Sequence, residues 1–114
     1  MPGESPVLTL DIDHNAKPIV VRCHGRLVAG VSEILYSQVK PLVPHHKRII
    51  LDLKDLTRMD SMGLGALVRL YVSARHAGCN IELMNLGKQI HILLGTAHML
   101  NAFTIVGERG IKLG

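Results

Sequence analysis

Arg58-Met59-Asp60-Ser61-Met62-Gly63-Leu64-Gly65 stands at the middle of the chain, between two stretches of different periodicity. On its N-terminal side, Ile49-Ile50-Leu51-Asp52-Leu53 is a short apolar run rich in β-branched residues, the pattern of a buried strand. On its C-terminal side, Leu64, Leu67, Val68, Tyr71 and Ala74 recur at helical spacing and form one apolar stripe. Asp60-Ser61 therefore falls where the loop leaving a strand becomes a helix. Either side chain can cap that helix, because its oxygen can accept from the orphan N–H groups of the first turn. The same position suits added negative charge. A phosphate on Ser61 would meet free N–H donors and the positive end of the helix dipole.

Outward from this stretch the pattern alternates between strand and helix. Residues 7–12 read as a first strand, 13–18 as a turn-rich loop and 19–24 as a second strand ended by Gly25, together an antiparallel hairpin. Gly25-Arg26-Leu27-Val28-Ala29-Gly30 is a flexible link. Val31, Ile34, Leu35, Val39 and Leu42 then share one helical face, with Pro41 and Pro44 marking its end. The helix opened at Ser61 is expected to run to about His76, with Gly78 as its stop. Residues 80–86 read as a strand, Ile90, Leu93 and Leu94 as the apolar side of a short helix closed by Gly95, and 102–106 as a last strand. The resulting β-β-α-β-α-β-α-β order predicts an α/β domain with a mixed, mostly parallel sheet. The core is expected at about 7–106, with 1–6 and 107–114 as loose ends.

Composition narrows the function classes. At 114 residues, 47% hydrophobic and 19% charged, the chain suits one domain with one core. No apolar run approaches the roughly 18 residues that a membrane-spanning helix needs. Residues 1–6 lack the basic start and apolar core of a signal peptide. A cytoplasmic protein without membrane insertion is the expectation. Cys23 and Cys79 lie far apart without metal-ligand spacing, which suits a reducing compartment and small packing residues. The net charge of +4 could suggest nucleic acid, but the basic residues are scattered and aromatic content is 3%. That charge reads instead as a solubility property, or as help in meeting an acidic protein partner.

Asp60-Ser61-x-Gly63-Leu64-Gly65, with a hydrophobic strand before it and a helix after it, resembles the signature of STAS domains, and most of all that of the bacterial anti-sigma factor antagonists. The resemblance spans about Leu8 to Val106. It implies a single STAS domain over 1–114, with the helices stacked on one side of the sheet. It also implies that Ser61 is a phosphoacceptor and that Asp60, Met62, Gly63, Leu64 and Arg26 meet a partner. From position and residue type alone, a helix cap with no further role is the plainer reading; the resemblance moves Asp60-Ser61 toward a phosphorylation site. The implied partner is an anti-sigma factor that is also a serine protein kinase, with a phosphatase to reverse the modification. Unphosphorylated antagonist binds the kinase and frees the sigma factor; phosphorylated antagonist lets go.

Two positions depart from the family pattern. Met62 stands where antagonists often carry a second hydroxyl, and Gly25-Arg26-Leu27-Val28 lacks the acidic residue common in that loop. The alternative role is a stand-alone STAS docking subunit of a transporter or signalling assembly, without phosphorylation. Catalysis is not expected. The chain has no Gly-x-x-x-x-Gly-Lys-Ser/Thr loop, Gly63-x-Gly65 is too short for a dinucleotide fingerprint, and there is no Gly-x-Ser-x-Gly elbow. No cofactor is expected, ATP and magnesium being supplied by the partner kinase. Seven histidines invite a metal reading, but adjacent His45-His46 point their rings apart and no mixed Cys/His set appears. No metal site is expected.

Overall fold

A computed structural model describes residues 7–107. Strands β1 (Leu8–Asp13) and β2 (Ile19–Leu27) form the opening hairpin, followed by helix α1 (Ser32–Val39) and a 3-10 turn (Lys40–His45). Strand β3 (Arg48–Met59) leads directly into helix α2 (Ser61–His76), then β4 (Asn80–Met84), α3 (Lys88–Thr96) and β5 (Thr104–Val106). The ends expected at 1–6 and, apart from Gly107, at 107–114 lie outside the described residues.

The sheet order is β1-β2-β3-β4-β5, with β1 antiparallel to β2 and every later pair parallel. Right-handed crossovers that always step the same way must set all their helices on one face. The core lies there: Ile19, Val21, Leu51, Leu53, Ile81 and Leu83 from the sheet meet Leu35, Val39, Leu67, Leu70 and Leu94 from the helices. Cys23 and Cys79 are free and buried in this layer, and burial, with Asp52 nearby, pushes the Cys23 thiol up to about 12. Neither sulfur is poised as a nucleophile. Among the described residues, the opposite face carries a small apolar group, Ile50, Met84 and Val106 with Val20 packed against it.

Several boundaries differ from the sequence expectation. β3 does not end at Leu53 but continues to Met59. Its register with β2 slips twice, between Arg22 and His24 and between Gly25 and Arg26, and each slip places an extra residue on β3. Leu53, Leu56 and Met59 therefore point inward at intervals of three, which disguises the strand. β2 likewise passes through Gly25, whose φ of +102° and contact with the Val7 carbonyl allow only glycine, and continues to Leu27. The α2 stripe is rotated from the expected one: Ala66 and Leu70 are buried, whereas Val68 is only half-buried. The first helix ends at Val39, short of the expected Leu42, and the 3-10 turn that follows from Lys40 contains Pro41 and Pro44. α3 continues one residue beyond Gly95, and β4 stops at Met84 before Asn85 turns to a φ of +60°.

α2 crosses the end of β2 closely enough that a Cβ on Gly63 would run into the carbonyl oxygen of Leu27. Gly65, one position past the next residue on the same helix, faces open space. Gly63→Ala should therefore cost about 1–3 kcal/mol, because backbone blocks the added methyl. Gly65→Ala should stabilise by about 0.4–1 kcal/mol through the unfolded chain. Urea unfolding of the two variants checks the opposite signs.

Candidate functional site

Asp60 is the N-cap of α2, extended at φ −109° and ψ −174°. Its two carboxylate oxygens bind different parts of the chain. Oδ1 accepts from the Gly63 amide at 2.9 Å, and Oδ2 accepts from the Ala29 amide at 3.0 Å. The helix start is thus tied to the link that leaves β2. The Ala29 and Gly63 amides, with Arg58 nearby, hold the Asp60 carboxyl below its ordinary range.

Ser61 is the first residue of the helix and is exposed, and Met62 beside it is 58% exposed. Asp60, not Ser61, caps the helix, so the Ser61 hydroxyl is left facing solvent. Of the first amides, Gly63 donates to the Asp60 side chain and Leu64 to the Asp60 carbonyl at 2.9 Å. A phosphate on Ser61 would find fewer open donors than the sequence suggests, because the Met62 amide also helps hold the Asp60 carboxylate. Gly63 is buried against Leu27, and Leu64 is half-buried on the core. The outward contacts at this end come from Ser61 and Met62.

Arg26 is exposed and lies beside Arg58 in the β2–β3 register, with Leu27 beside Met59. Like charges side by side on neighbouring strands oppose pairing. Neither guanidinium forms an ion pair among the described residues. Arg58 had no assigned role in the sequence reading, and only the register reveals its pairing with Arg26.

Gln89, at the start of α3, was also missed. Its Nε2 donates to the Met59 carbonyl at 3.1 Å, and its Oε1 accepts from the Met59 amide at 3.2 Å. β4 pairs with β3 only as far as Asp52, so this side-chain amide replaces a strand partner just before Asp60. On the other side the Asp60 amide donates to the Leu27 carbonyl at 3.3 Å. The backbone that presents Ser61 is therefore held from both flanks.

Because the folded-state pKa of Asp60 is depressed, its two bonds contribute stability above the ordinary carboxylate value and lose it as pH falls below about 4. Asp60→Asn removes that titration. Urea midpoints followed from pH 5 down to 2 should fall less steeply for the variant than for the parent chain.

Residues 9–109 match the STAS domain family. The chain is 25% identical over 100 residues to the anti-sigma F factor antagonist of Paenibacillus polymyxa, covering 86% of each sequence. It is 26% identical over 83 residues to the anti-sigma-B factor antagonist of Bacillus subtilis (strain 168), covering 73% of this chain and 76% of that one. Its fold resembles the anti-sigma factor antagonist SpoIIAA in its unphosphorylated form, with a TM-score of 0.73, 15% identity and coverage of 89% and 90% of the two chains. The phosphorylated form of Bacillus SpoIIAA gives a TM-score of 0.68 at 15% identity, covering 89% and 94%. The strand order, the one-sided helices and the match across most of its length place this chain in the STAS domain family.

Proposed function

We propose that this chain is an anti-sigma factor antagonist that works by partner switching, with Ser61 as phosphoacceptor. The observation that carries the reading is an exposed hydroxyl at the first position of α2, directly after an aspartate already engaged as the cap. A kinase can reach that oxygen without unfolding anything, and the product sits at the positive end of a helix 16 residues long. The names of the two antagonist relatives, and the solution of SpoIIAA in both phosphorylation states, support the same reading.

The unphosphorylated chain binds an anti-sigma factor that is also a serine kinase, in the cytoplasm, through Met62, the half-buried Leu64 and the Arg26–Arg58 pair. Those two guanidiniums favour an acidic partner surface. Phosphorylation adds about −1.5 to −2 charge at Ser61, which repels that surface and offsets the arginines. The partner leaves and a phosphatase resets the state. The chain transfers no phosphate itself; ATP and magnesium arrive with the kinase.

Affinity capture from the native cell, with phosphosite mapping of the captured chain, tests this. Ser61 is expected to carry the phosphate and a serine-kinase anti-sigma factor to co-purify. Ser61→Ala should keep that partner and lose the label. Ser61→Asp should weaken binding by about tenfold or more, the scale of one charge-assisted contact. Label persisting on the Ser61→Ala chain would refute the assignment.

A further inference from the structure

The end of the sheet remote from Ser61 holds a hollow that partner switching does not use. It has a volume of about 550 Å³ and lies between the β1–β2 loop, which contributes His14 and Lys17, and the connector into β3, which contributes His45, His46 and Lys47. Pro18 and Ile19 add apolar surface to its lining. The two ends of the 12-residue β3 are about 36 Å apart at strand rise, so this is a separate place from the α2 start.

Every ionisable side chain among the described residues lining the hollow is basic. Arg48, also at its rim, is fixed by Glu82, donating through Nε at 2.9 Å and Nη2 at 2.7 Å. Its charge is largely met within the protein. Lys17 and Lys47 form no ion pair among the described residues. The nearby acid, Asp13, turns its carboxylate into its own loop, accepting from the Asn15 and Ala16 amides at 3.1 and 3.2 Å. That bond pair shapes the loop carrying His14 and Lys17. The Lys47 carbonyl accepts from the Asn80 amide at 2.9 Å, which anchors the facing wall. Two walls fixed by bonds to the backbone therefore bring ammonium and imidazole donors together, with no acid between them among the described residues. The lysines give the hollow a positive local potential that favours a multivalent anion.

We propose that this hollow binds a phosphate-bearing small molecule, with Lys17 and Lys47 as the charged clamps and the imidazoles of His14, His45 and His46 as N–H donors. The volume lies in the range of small-molecule sites. Phosphate, with several acceptor oxygens and more than one charge, matches two ammonium groups and several imidazole N–H donors better than a single carboxylate does. No Phe, Tyr or Trp lines the hollow, so the phosphate and not a stacked base is recognised. The remainder of the ligand rests on Pro18 and Ile19. A soluble phosphate ester and a phospholipid headgroup share this chemistry.

Titration of the isotope-labelled full chain with inorganic pyrophosphate, followed by amide NMR shifts, tests the site. Saturable shifts are expected at residues 14–17, 19 and 45–48, with Arg26 and Arg58 unmoved. Lys17→Ala/Lys47→Ala should raise the dissociation constant by about tenfold or more, the loss of charge-assisted bonds. Both lysines are exposed, so the variant keeps the fold. Co-sedimentation with phosphatidylcholine vesicles containing phosphatidic acid, reversed by pyrophosphate, would assign the phosphate to a headgroup; saturable shifts without sedimentation assign it to a soluble ester. Shifts that fail to saturate, spread to Arg26 and Arg58, or survive the double substitution overturn the proposal.

Discussion

One oxygen of Asp60 receives the Ala29 amide and the other receives the Gly63 amide, and the position of the α2 start follows from that pair of bonds. The link after β2 and the first turn of α2 are far apart in sequence, yet a single carboxylate fixes their separation. Gly63 makes this possible, since any side chain there would push the helix off the Leu27 carbonyl. With Asp60 committed to both segments, Ser61 is released from capping and its hydroxyl is presented outward. Structure and accessibility are thus divided between two adjacent residues.

The strand order leaves this end of the sheet open. In a doubly wound sheet the order reverses, and the two crossovers that part there open a crevice for a small ligand at the carboxyl ends of the strands. Here the order runs from β1 to β5 without reversal, so no such crevice forms where β3 passes into α2. The feature at that end is an exposed serine and methionine beside two arginines, a surface suited to another macromolecule. The hollow lies at the opposite end of the strands, where the β1–β2 loop faces the connector into β3.

The elements whose periodicity is clean could be read directly from the sequence. Ile49 to Leu53 and the Ser61 helix are where the residues place them, and Asp60-Ser61 stands at a helix start as expected. The second half of β3 was not legible, because two extra residues turn its inward spacing from two to three and the stretch reads as a loop. Gly25 looked like a stop because glycine usually is one, whereas here it lets β2 pass the Val7 carbonyl. The Arg26–Arg58 neighbourhood and the Gln89 clamp on Met59 depend on strand register and on a helix arriving from far along the chain. Local pattern carries no trace of either.

β4 accompanies β3 only to Asp52, so the remainder of β3 presents a partly unaccompanied border, closed at Met59 by a glutamine amide. Bare strand borders invite a neighbouring molecule to add itself as another strand. Lys54, Asp55 and Arg58 are all exposed along this length, and charged side chains with an irregular backbone make poor templates for such growth. The same irregularity that hides the strand from a reader of the sequence makes the border beside the serine a poor template for an added strand.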